Sequence, residues 1–134
     1  MTDKVKFLVG SKSIEQITLP PYDNQICNFL VEFSKELENS DYTKKFSDLK
    51  ALSFWCRKNN ILNFKKKYLS DMTRVALGIV FHITPSNIPT NFAYSLIFGL
   101  LTGNTNIVKV PSKKFTQIKV ICEVLKKILK KKKK

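Results

Sequence analysis

The chain has 134 residues, of which 43% are hydrophobic, the size and composition of one ordinary globular domain. Its formal net charge is +14, and because seven of the last nine residues are lysines, half of this excess lies in one short run. No apolar stretch reaches the roughly twenty residues that a membrane-spanning helix needs, and the start has no apolar run of signal-peptide length. We therefore predict a cytoplasmic protein without a membrane span or secretory leader.

The cysteines and the histidine exclude two further classes of protein. Cys27, Cys56 and Cys122 are odd in number and far apart, with no C-x-x-C pair, and His82 is the only histidine. This pattern does not predict a disulfide framework, and it offers too few clustered ligands for a zinc site. We expect reduced, buried thiols and no bound metal.

Residues 1–72 are predicted to form an N-terminal α/β segment, with two short strands followed by helices. Residues 5–9 and 14–19 alternate apolar and polar side chains and are rich in β-branched types, which is typical of strands. Asp23 is placed to cap a helix whose apolar residues recur at intervals of three and four. A second helix is predicted to begin at Asp41 and to end at Asn59 and Asn60, and a third helical piece follows at residues 61–69.

The composition changes after Asp71, and residues 73–125 predict a second unit. Residues 74–84 form a nearly continuous apolar run, as expected of a strand buried on both faces of a parallel sheet. The order strand, helix, strand, helix then predicts the opening of a doubly wound, Rossmann-like α/β domain. The remaining predicted elements are a stiff loop at 85–89, a buried helix at 90–102, a turn at Gly103 and Asn104, a second strand at 106–110 and an amphipathic helix at 116–128.

The last segment, residues 126–134, is predicted to be a lysine-rich tail. A parallel sheet with two strands is incomplete, since a nucleotide-binding half normally has at least three. We therefore expect an incomplete sheet that does not fold alone, in a chain shortened by truncation or by a frameshift in an adenine-rich tract. A genuine basic tail is the alternative.

Residues 78–113 read GIVFHITPSNIPTNFAYSLIFGLLTGNTNIVKVPSK. This segment resembles the aldehyde dehydrogenase superfamily in its strand, Pro-x-Asn-x-Pro loop, helix, Gly-Asn turn, strand and lysine-containing loop. The segments ALSFWCR at 51–57 and VFHI at 80–83 resemble more narrowly the bacterial fatty acyl-CoA reductase branch, the LuxC family. The likeness covers about residues 45–113 and implies an aldehyde-dehydrogenase-like fold, of which this chain holds the N-terminal part only.

The resemblance also implies a chemistry. In this family a cysteine thiolate attacks a thioester carbonyl, and a nicotinamide cofactor then delivers hydride to release a fatty aldehyde. Asn87 would donate its side-chain amide to the oxyanion, in a loop restrained by Pro85 and Pro89. Without the resemblance, Asn87 would be interpreted as a turn residue.

The family's nucleophilic cysteine lies further along the chain than this sequence extends. Cys122 is rejected because it belongs to the apolar face of a predicted helix. The resemblance thus implies an inactive fragment of an enzyme that reduces an acyl-CoA or acyl-protein substrate. The missing C-terminal half or a second copy would be its partner.

The cofactor implied by the resemblance is NADP, with NAD as the alternative. Ser112 stands where many NAD-using relatives carry a glutamate that binds the ribose hydroxyls, and Lys113 and Lys114 follow it. Loss of a carboxylate and gain of cations favours a 2′-phosphate, although these lysines would also suit a solvated helix start. The residues implied to contact the cofactor are Ile83, Thr84, Ser86, Lys109 and Ser112.

Two interpretations do not depend on the resemblance. His82 lies in the middle of an apolar strand, which favours a hydrogen-bonded core histidine without a catalytic role. The lysines of residues 126–134 allow a different function, that of a small basic protein that binds nucleic acid or an anionic membrane in a salt-sensitive way. We expect no specific nucleic-acid recognition.

Overall fold

The structure is a computed structural model that describes residues 4–133. Helices dominate this part of the chain. Two short strands lie in the second half. In chain order the elements are α1 (Asn24–Glu38), α2 (Asp41–Lys45), α3 (Ser47–Trp55), α4 (Lys58–Tyr68), β1 (Ile79–Ile83), α5 (Asn91–Leu101), β2 (Thr105–Lys109) and α6 (Thr116–Lys132).

Helix α1 begins where the capping residue predicts. An Asp23 carboxylate oxygen accepts a hydrogen bond from the backbone N–H of Gln25 at 2.8 Å, which satisfies one of the free donors of the first turn. The apolar face of α1 is buried, with Leu30, Phe33 and Leu37 at most 2% exposed. This helix prediction is confirmed.

The second predicted helix is two helices. Phe46 interrupts it with extended backbone angles of φ −118° and ψ 108°, so that α2 ends and α3 begins around this residue. The prediction that the helix ends at Asn59 and Asn60 is wrong. Helix α3 ends at Trp55, and both asparagines lie in the first turn of α4. The side-chain amide of Asn60 donates to the carbonyl of Phe54 at 2.7 Å, which joins the start of α4 to the end of α3.

The two strands predicted at residues 5–9 and 14–19 are wrong, because neither segment is a strand in the structure. The backbone N–H of Leu19 donates to the Gly103 carbonyl at 2.9 Å. The N–H of Ile17 donates to the side-chain hydroxyl of Thr105, also at 2.9 Å. The alternating pattern is present, but these bonds, one to a backbone carbonyl and one to a side chain, do not form the repeated backbone ladder that defines a strand.

The sheet is parallel, and the predicted order strand, helix, strand, helix is confirmed. Within residues 4–133 the sheet has two strands, β1 and β2, with Ile79 opposite Thr105 and Ile83 opposite Lys109. Helix α5 connects the strands and contacts both of them. The protein is therefore of mixed α/β class, with a small parallel sheet.

Strand β1 is shorter and more exposed than predicted. Ile79, Phe81 and Ile83 are 47%, 58% and 71% exposed, so the prediction of a strand buried on both faces is wrong for the described residues. The predicted start at residue 74 is also wrong. The side-chain oxygen of Asn104 accepts from the backbone N–H of both Leu77 and Gly78, and the backbone bonds to β2 begin only at the Gly78 carbonyl, which accepts from Thr105 at 2.9 Å.

Helix α6 continues through most of the predicted lysine tail. It ends at Lys132, so residues 126–132 are helical, and Ile128 among them is fully buried. Nζ atoms of Lys127 and Lys131 each lie 2.6 Å from a carboxylate oxygen of Glu36 on α1. The tail prediction is therefore wrong for this part, because its lysines project from a helix that packs on α1.

One hydrophobic core joins the two predicted units. It contains buried residues of α1, α3, α5 and α6, and the predicted boundary at residues 72 and 73 falls in the link between α4 and β1. None of the helices within the described part of the chain is long and apolar enough to span a bilayer.

Candidate active site

The ends of β1 and β2 meet at one edge of the sheet. Ile83 and Lys109, the last residues of the two strands, are direct neighbours in the parallel register. The segments 84–90 and 110–115 leave this edge toward α5 and α6. We call residues 83–90 and 109–115 the carboxyl edge. In open α/β sheets ligands bind at this position, and all six predicted site residues lie on it.

The loop after β1 presents Asn87 at the surface. Ser86 and Asn87 are both exposed, whereas Thr90 at the start of α5 is only 4% exposed. The Ile88 carbonyl accepts from the backbone N–H of Asn91 at 3.3 Å, and the Thr90 carbonyl accepts from Ala93 at 3.0 Å. The loop is thus fixed to the start of α5, and the amide of Asn87 is accessible to a ligand.

Thr84, the first residue after β1, has an unusual hydroxyl. Its Oγ1 atom is buried and has no hydrogen-bond partner within residues 4–133. Buried hydroxyls are nearly always paired, with protein groups, water or a ligand. A polar ligand group at the carboxyl edge would satisfy it.

The loop after β2 is basic and exposed. Ser112, Lys113 and Lys114 are all exposed, as is Lys109 at the end of the strand. Residues 110–115 contain no carboxylate. This loop can therefore attract an anionic group such as a phosphate, with nothing in the segment itself to repel it.

His82 faces α5 in the middle of β1 and is hydrogen-bonded on both ring nitrogens. Nδ1 lies 2.7 Å from the hydroxyl of Ser95, and Nε2 lies 2.9 Å from the side-chain oxygen of Asn106. The Asn106 amide nitrogen donates to the carbonyl of Asn104 at 2.8 Å, which directs its oxygen toward the ring. The prediction of a hydrogen-bonded histidine is confirmed, although the side chain is half-buried and not in the deep core.

This arrangement also assigns the histidine proton. Because the oxygen of Asn106 can only accept, the neutral imidazole carries its hydrogen on Nε2, and Nδ1 then accepts from Ser95. The roles of Ser95 and Asn106 were not predicted from the sequence. Ser95 is a polar residue within an apolar helix, which could have indicated it, whereas Asn106 follows the polar residues Asn104 and Thr105 and has no such signal.

Residues 20–132 match the family model described as Acyl-CoA reductase (LuxC). This span contains every helix and strand of the described residues, from α1 to the end of α6. The chain belongs to the LuxC acyl-CoA reductase family. The LuxC match confirms the family predicted from residues 45–113, and at family level it indicates acyl-CoA reductase activity. No curated protein and no solved structure matches the chain.

The cysteines of this LuxC chain are not suited to attack a thioester. Cys27, Cys56 and Cys122 are free and buried. Burial raises the pKa of the Cys56 thiol to about 12. It also raises the thiol pKa of Cys27 and that of Cys122, where it outweighs the opposing effect of Lys126. Such thiols are protonated at neutral pH and are poor nucleophiles.

Clustered metal ligands are likewise missing from the described part of the LuxC chain, where no group of three or more His, Cys, Asp and Glu side chains could hold a metal ion.

Proposed function

We propose that the carboxyl edge binds the cofactor and the thioester in an NADP-dependent fatty acyl-CoA reductase with an aldehyde-dehydrogenase-like fold. The observation that carries this proposal is the LuxC family match over residues 20–132. It is supported by the position of Ile83 and Lys109, side by side where such sheets bind ligands. The product would be a fatty aldehyde.

The proposed cofactor fits the polar groups of the edge. Lys109 and Ser112 would hold the adenosine ribose and its 2′-phosphate, and the unpaired hydroxyl of Thr84 would gain a partner. Ile83 and Ser86 would flank the same region. Bound NADPH would supply the hydride. A 2′-phosphate is preferred over the bare ribose of NAD because the loop at 110–115 carries cations and no carboxylate.

Asn87 is proposed to stabilise the oxyanion. Its exposed amide can donate to the oxygen on which negative charge develops when the thioester carbonyl is attacked. A single donor of this kind typically lowers the barrier by about 3 kcal/mol. Fixing the loop to the start of α5 limits the movement of the amide, so less reorganisation is needed during the reaction.

The nucleophile is proposed to be a cysteine other than Cys27, Cys56 and Cys122, because burial keeps these three thiols protonated. The 134 residues by themselves are then inactive, and the acyl-CoA or acyl-protein substrate reacts only when further reductase residues supply the thiolate. The carboxyl edge contributes the cofactor contacts and one oxyanion donor.

Cofactor binding tests the proposal without requiring turnover. Titration calorimetry of the chain with NADP⁺ and NAD⁺ should show tighter binding of NADP⁺. Lys109→Ala should weaken NADP⁺ binding about tenfold, the effect of one lost hydrogen bond to a charged group. Lys66→Ala, which removes an exposed lysine of α4, is the control and should leave binding unchanged.

Two other results would contradict parts of this proposal. Equal affinity for NAD⁺ and NADP⁺ would overturn the preference for the 2′-phosphate. Equal weakening by Lys109→Ala and Lys66→Ala would show that binding follows overall charge and not the carboxyl edge.

The alternative function, binding of nucleic acid or an anionic membrane by the lysines of α6, has less support. Lys127 and Lys131 are used in ion pairs with Glu36, so part of the positive charge is neutralised within the molecule. Strong salt-sensitive binding to DNA or to anionic vesicles would favour it.

A further inference from the structure

Helix α5 is joined to the sheet by a polar contact in largely apolar surroundings. Nδ1 of His82 on β1 lies 2.7 Å from the hydroxyl of Ser95 on α5. Within residues 4–133 this is the only side-chain hydrogen bond between α5 and either strand. Ser95 also carries the only aliphatic hydroxyl between Phe92 and Leu101. No other side chain of the helix interior can therefore replace it in this contact.

This hydrogen bond restricts a movement that apolar packing allows. Apolar contacts are non-directional, so a helix held by them alone can shift or rotate slightly on a sheet. The hydroxyl of Ser95 stays bonded to His82 only while the two atoms remain within about 3 Å and well aligned. The bond therefore sets the position and the rotation of α5 relative to β1.

The ring of His82 is itself held from its other side. Nε2 lies 2.9 Å from the side-chain oxygen of Asn106 on β2, and the amide nitrogen of Asn106 donates to the carbonyl of Asn104 at 2.8 Å. The ring thus directs its accepting nitrogen, Nδ1, toward Ser95. Polar networks whose members are all bonded rigidify the structure around them. The ring cannot turn away from Ser95 without losing its bond to Asn106.

The position of α5 determines the position of the loop that carries Asn87. This loop leaves β1 two residues after His82 and ends at α5, where the backbone N–H of Asn91 bonds back to it at 3.3 Å. Ser95 lies one turn after Asn91. Both ends of the loop are therefore attached to elements that the same side-chain bond joins. Because β1 and β2 are held by their own ladder, a shift of α5 would move Asn87 relative to Lys109.

We propose that His82 and Ser95 are positioning residues for the carboxyl edge. Their hydrogen bond holds α5 on the sheet, so that the loop at 84–90 keeps the geometry in which it binds the cofactor beside Lys109. Neither side chain touches the cofactor, since both act through the loop. This inference rests on the proposed function, because its consequence is the strength of cofactor binding at the carboxyl edge.

Hydrogen exchange in the ligand-free chain tests the positioning by itself. Ser95→Ala removes the hydroxyl and keeps a good helix former. The amides of Asn91 and Ala93, which bond to carbonyls at the end of the loop, should exchange at least about threefold faster, as expected from the loss of one hydrogen bond. Ser34→Ala is the matched control, because the hydroxyl of Ser34 joins α1 to α3 by donating to the Ser53 carbonyl at 2.6 Å. It should leave the exchange of these two amides unchanged.

Titration calorimetry with NADP⁺ tests the consequence for binding. At a temperature where all variants are fully folded, Ser95→Ala should weaken NADP⁺ binding by about three- to tenfold. Ser34→Ala should bind NADP⁺ as tightly as the original chain. If the Ser95 hydroxyl contributed only to stability, both variants would unfold more easily and neither would lose affinity for the cofactor.

The two measurements separate a failure of this inference from a failure of the proposed function. The positioning role is wrong, while the cofactor site stands, if the chain and Ser95→Ala bind NADP⁺ equally well, if Ser34→Ala weakens binding as much as Ser95→Ala, or if the amides of Asn91 and Ala93 exchange at their original rate. If the unmodified chain binds no NADP⁺, the proposed function fails and the positioning role fails with it.

Discussion

Gly99 lies on α5 where this helix comes closest to the hydrogen-bonded group of His82 and Asn106. A Cβ atom at position 99 would overlap the side-chain oxygen of Asn106 and would lie 2.9 Å from Nε2 of His82. Because Asn106 is held by His82 and by the Asn104 carbonyl, it cannot move away without losing hydrogen bonds. The absence of a side chain at Gly99 is thus required for the polar group to fit beneath the helix.

Gly99→Ala should therefore destabilise the chain by about 1–3 kcal/mol, the usual range for overpacking. Helix propensity alone predicts the opposite sign, a gain of up to about 1 kcal/mol. Urea unfolding followed by circular dichroism measures the difference in the free energy of unfolding between the two proteins.

Removal of the Asn106 side chain provides the control for this prediction. In an Asn106→Ala background the added methyl group meets no amide oxygen, so Gly99→Ala should cost less than it does alone. If the penalty is equal in both backgrounds, the overlap with Asn106 is not its cause.

The sequence indicated the positions of some site residues but not the hydrogen-bond partners of others. Asn87 and Lys109 were indicated because they belong to a motif with fixed spacing, and the structure places both on the carboxyl edge. The partners of His82 could not be predicted, since Ser95 and Asn106 are 13 and 24 residues away in sequence. Only the packing of α5 on the sheet brings them together.

At the scale of elements, helices were predicted better than strands. The 3.6-residue period of α1 is a property of the segment itself, because a helix makes its backbone hydrogen bonds internally. A strand needs a partner, and the alternating pattern of residues 14–19 cannot reveal whether one exists. The same reason explains the late start of β1, where the side chain of Asn104 takes the backbone donors of Leu77 and Gly78.

Composition alone did not predict the structure of the lysine-rich segment 126–134, most of which is helical. Lysine is a good helix former, and the spacing of Lys127 and Lys131 places both on the side of α6 that faces α1. Glu36 lies between them at 2.6 Å from each ammonium group. Two of the lysines that suggested a tail thus form ion pairs that connect α6 to α1.

Glu36→Gln tests this link between α1 and α6. Hydrogen bonds from Lys127 and Lys131 lower the pKa of the Glu36 carboxyl below its ordinary value of 4.5. A lowered pKa in the folded state stabilises the fold at pH values above the unfolded-state pKa, and this contribution disappears as the pH falls through the folded-state pKa. The variant should lose at most about 1 kcal/mol at pH 7, as is usual for ion pairs near the surface.

The pH dependence distinguishes this effect from a general change of charge. The stability difference between the original chain and Glu36→Gln should be constant from pH 7 to about pH 5 and should shrink below about pH 4.5. Glu123→Gln, at an exposed carboxylate of α6, is the control and should show little difference at any pH. A Glu36→Gln penalty that persists at pH 3 would contradict the ion-pair explanation.

At the scale of the whole molecule, the incomplete sheet suggested a chain that cannot fold alone. In the structure the most deeply buried side chains lie on the helices and not on the sheet. Leu37 of α1, Leu49 and Leu52 of α3, and Ile121 and Ile128 of α6 are all fully buried. Since apolar burial is the main favourable term in folding, the helical layer supplies most of the stability and the two strands supply little.

We therefore expect the isolated chain to unfold in one cooperative transition, in contrast to the expectation from the sheet alone. Trp55 reports on the shared core, because its ring contacts Phe64 of α4 at 4.6 Å and Tyr94 of α5 at 5.8 Å between centroids. Its fluorescence and the helical circular dichroism should change at the same urea concentration, as in two-state unfolding.

Core and surface variants show which layer controls that transition. Leu37→Ala should lower the free energy of unfolding by about 2–5 kcal/mol, because it leaves a cavity between α1 and its neighbours. Leu62→Ala, at a side chain that is 47% exposed, should change it by less than about 0.5 kcal/mol. Two separate transitions, or a chain with no transition at all, would mean that the incomplete sheet destabilises the chain more than the helical core stabilises it.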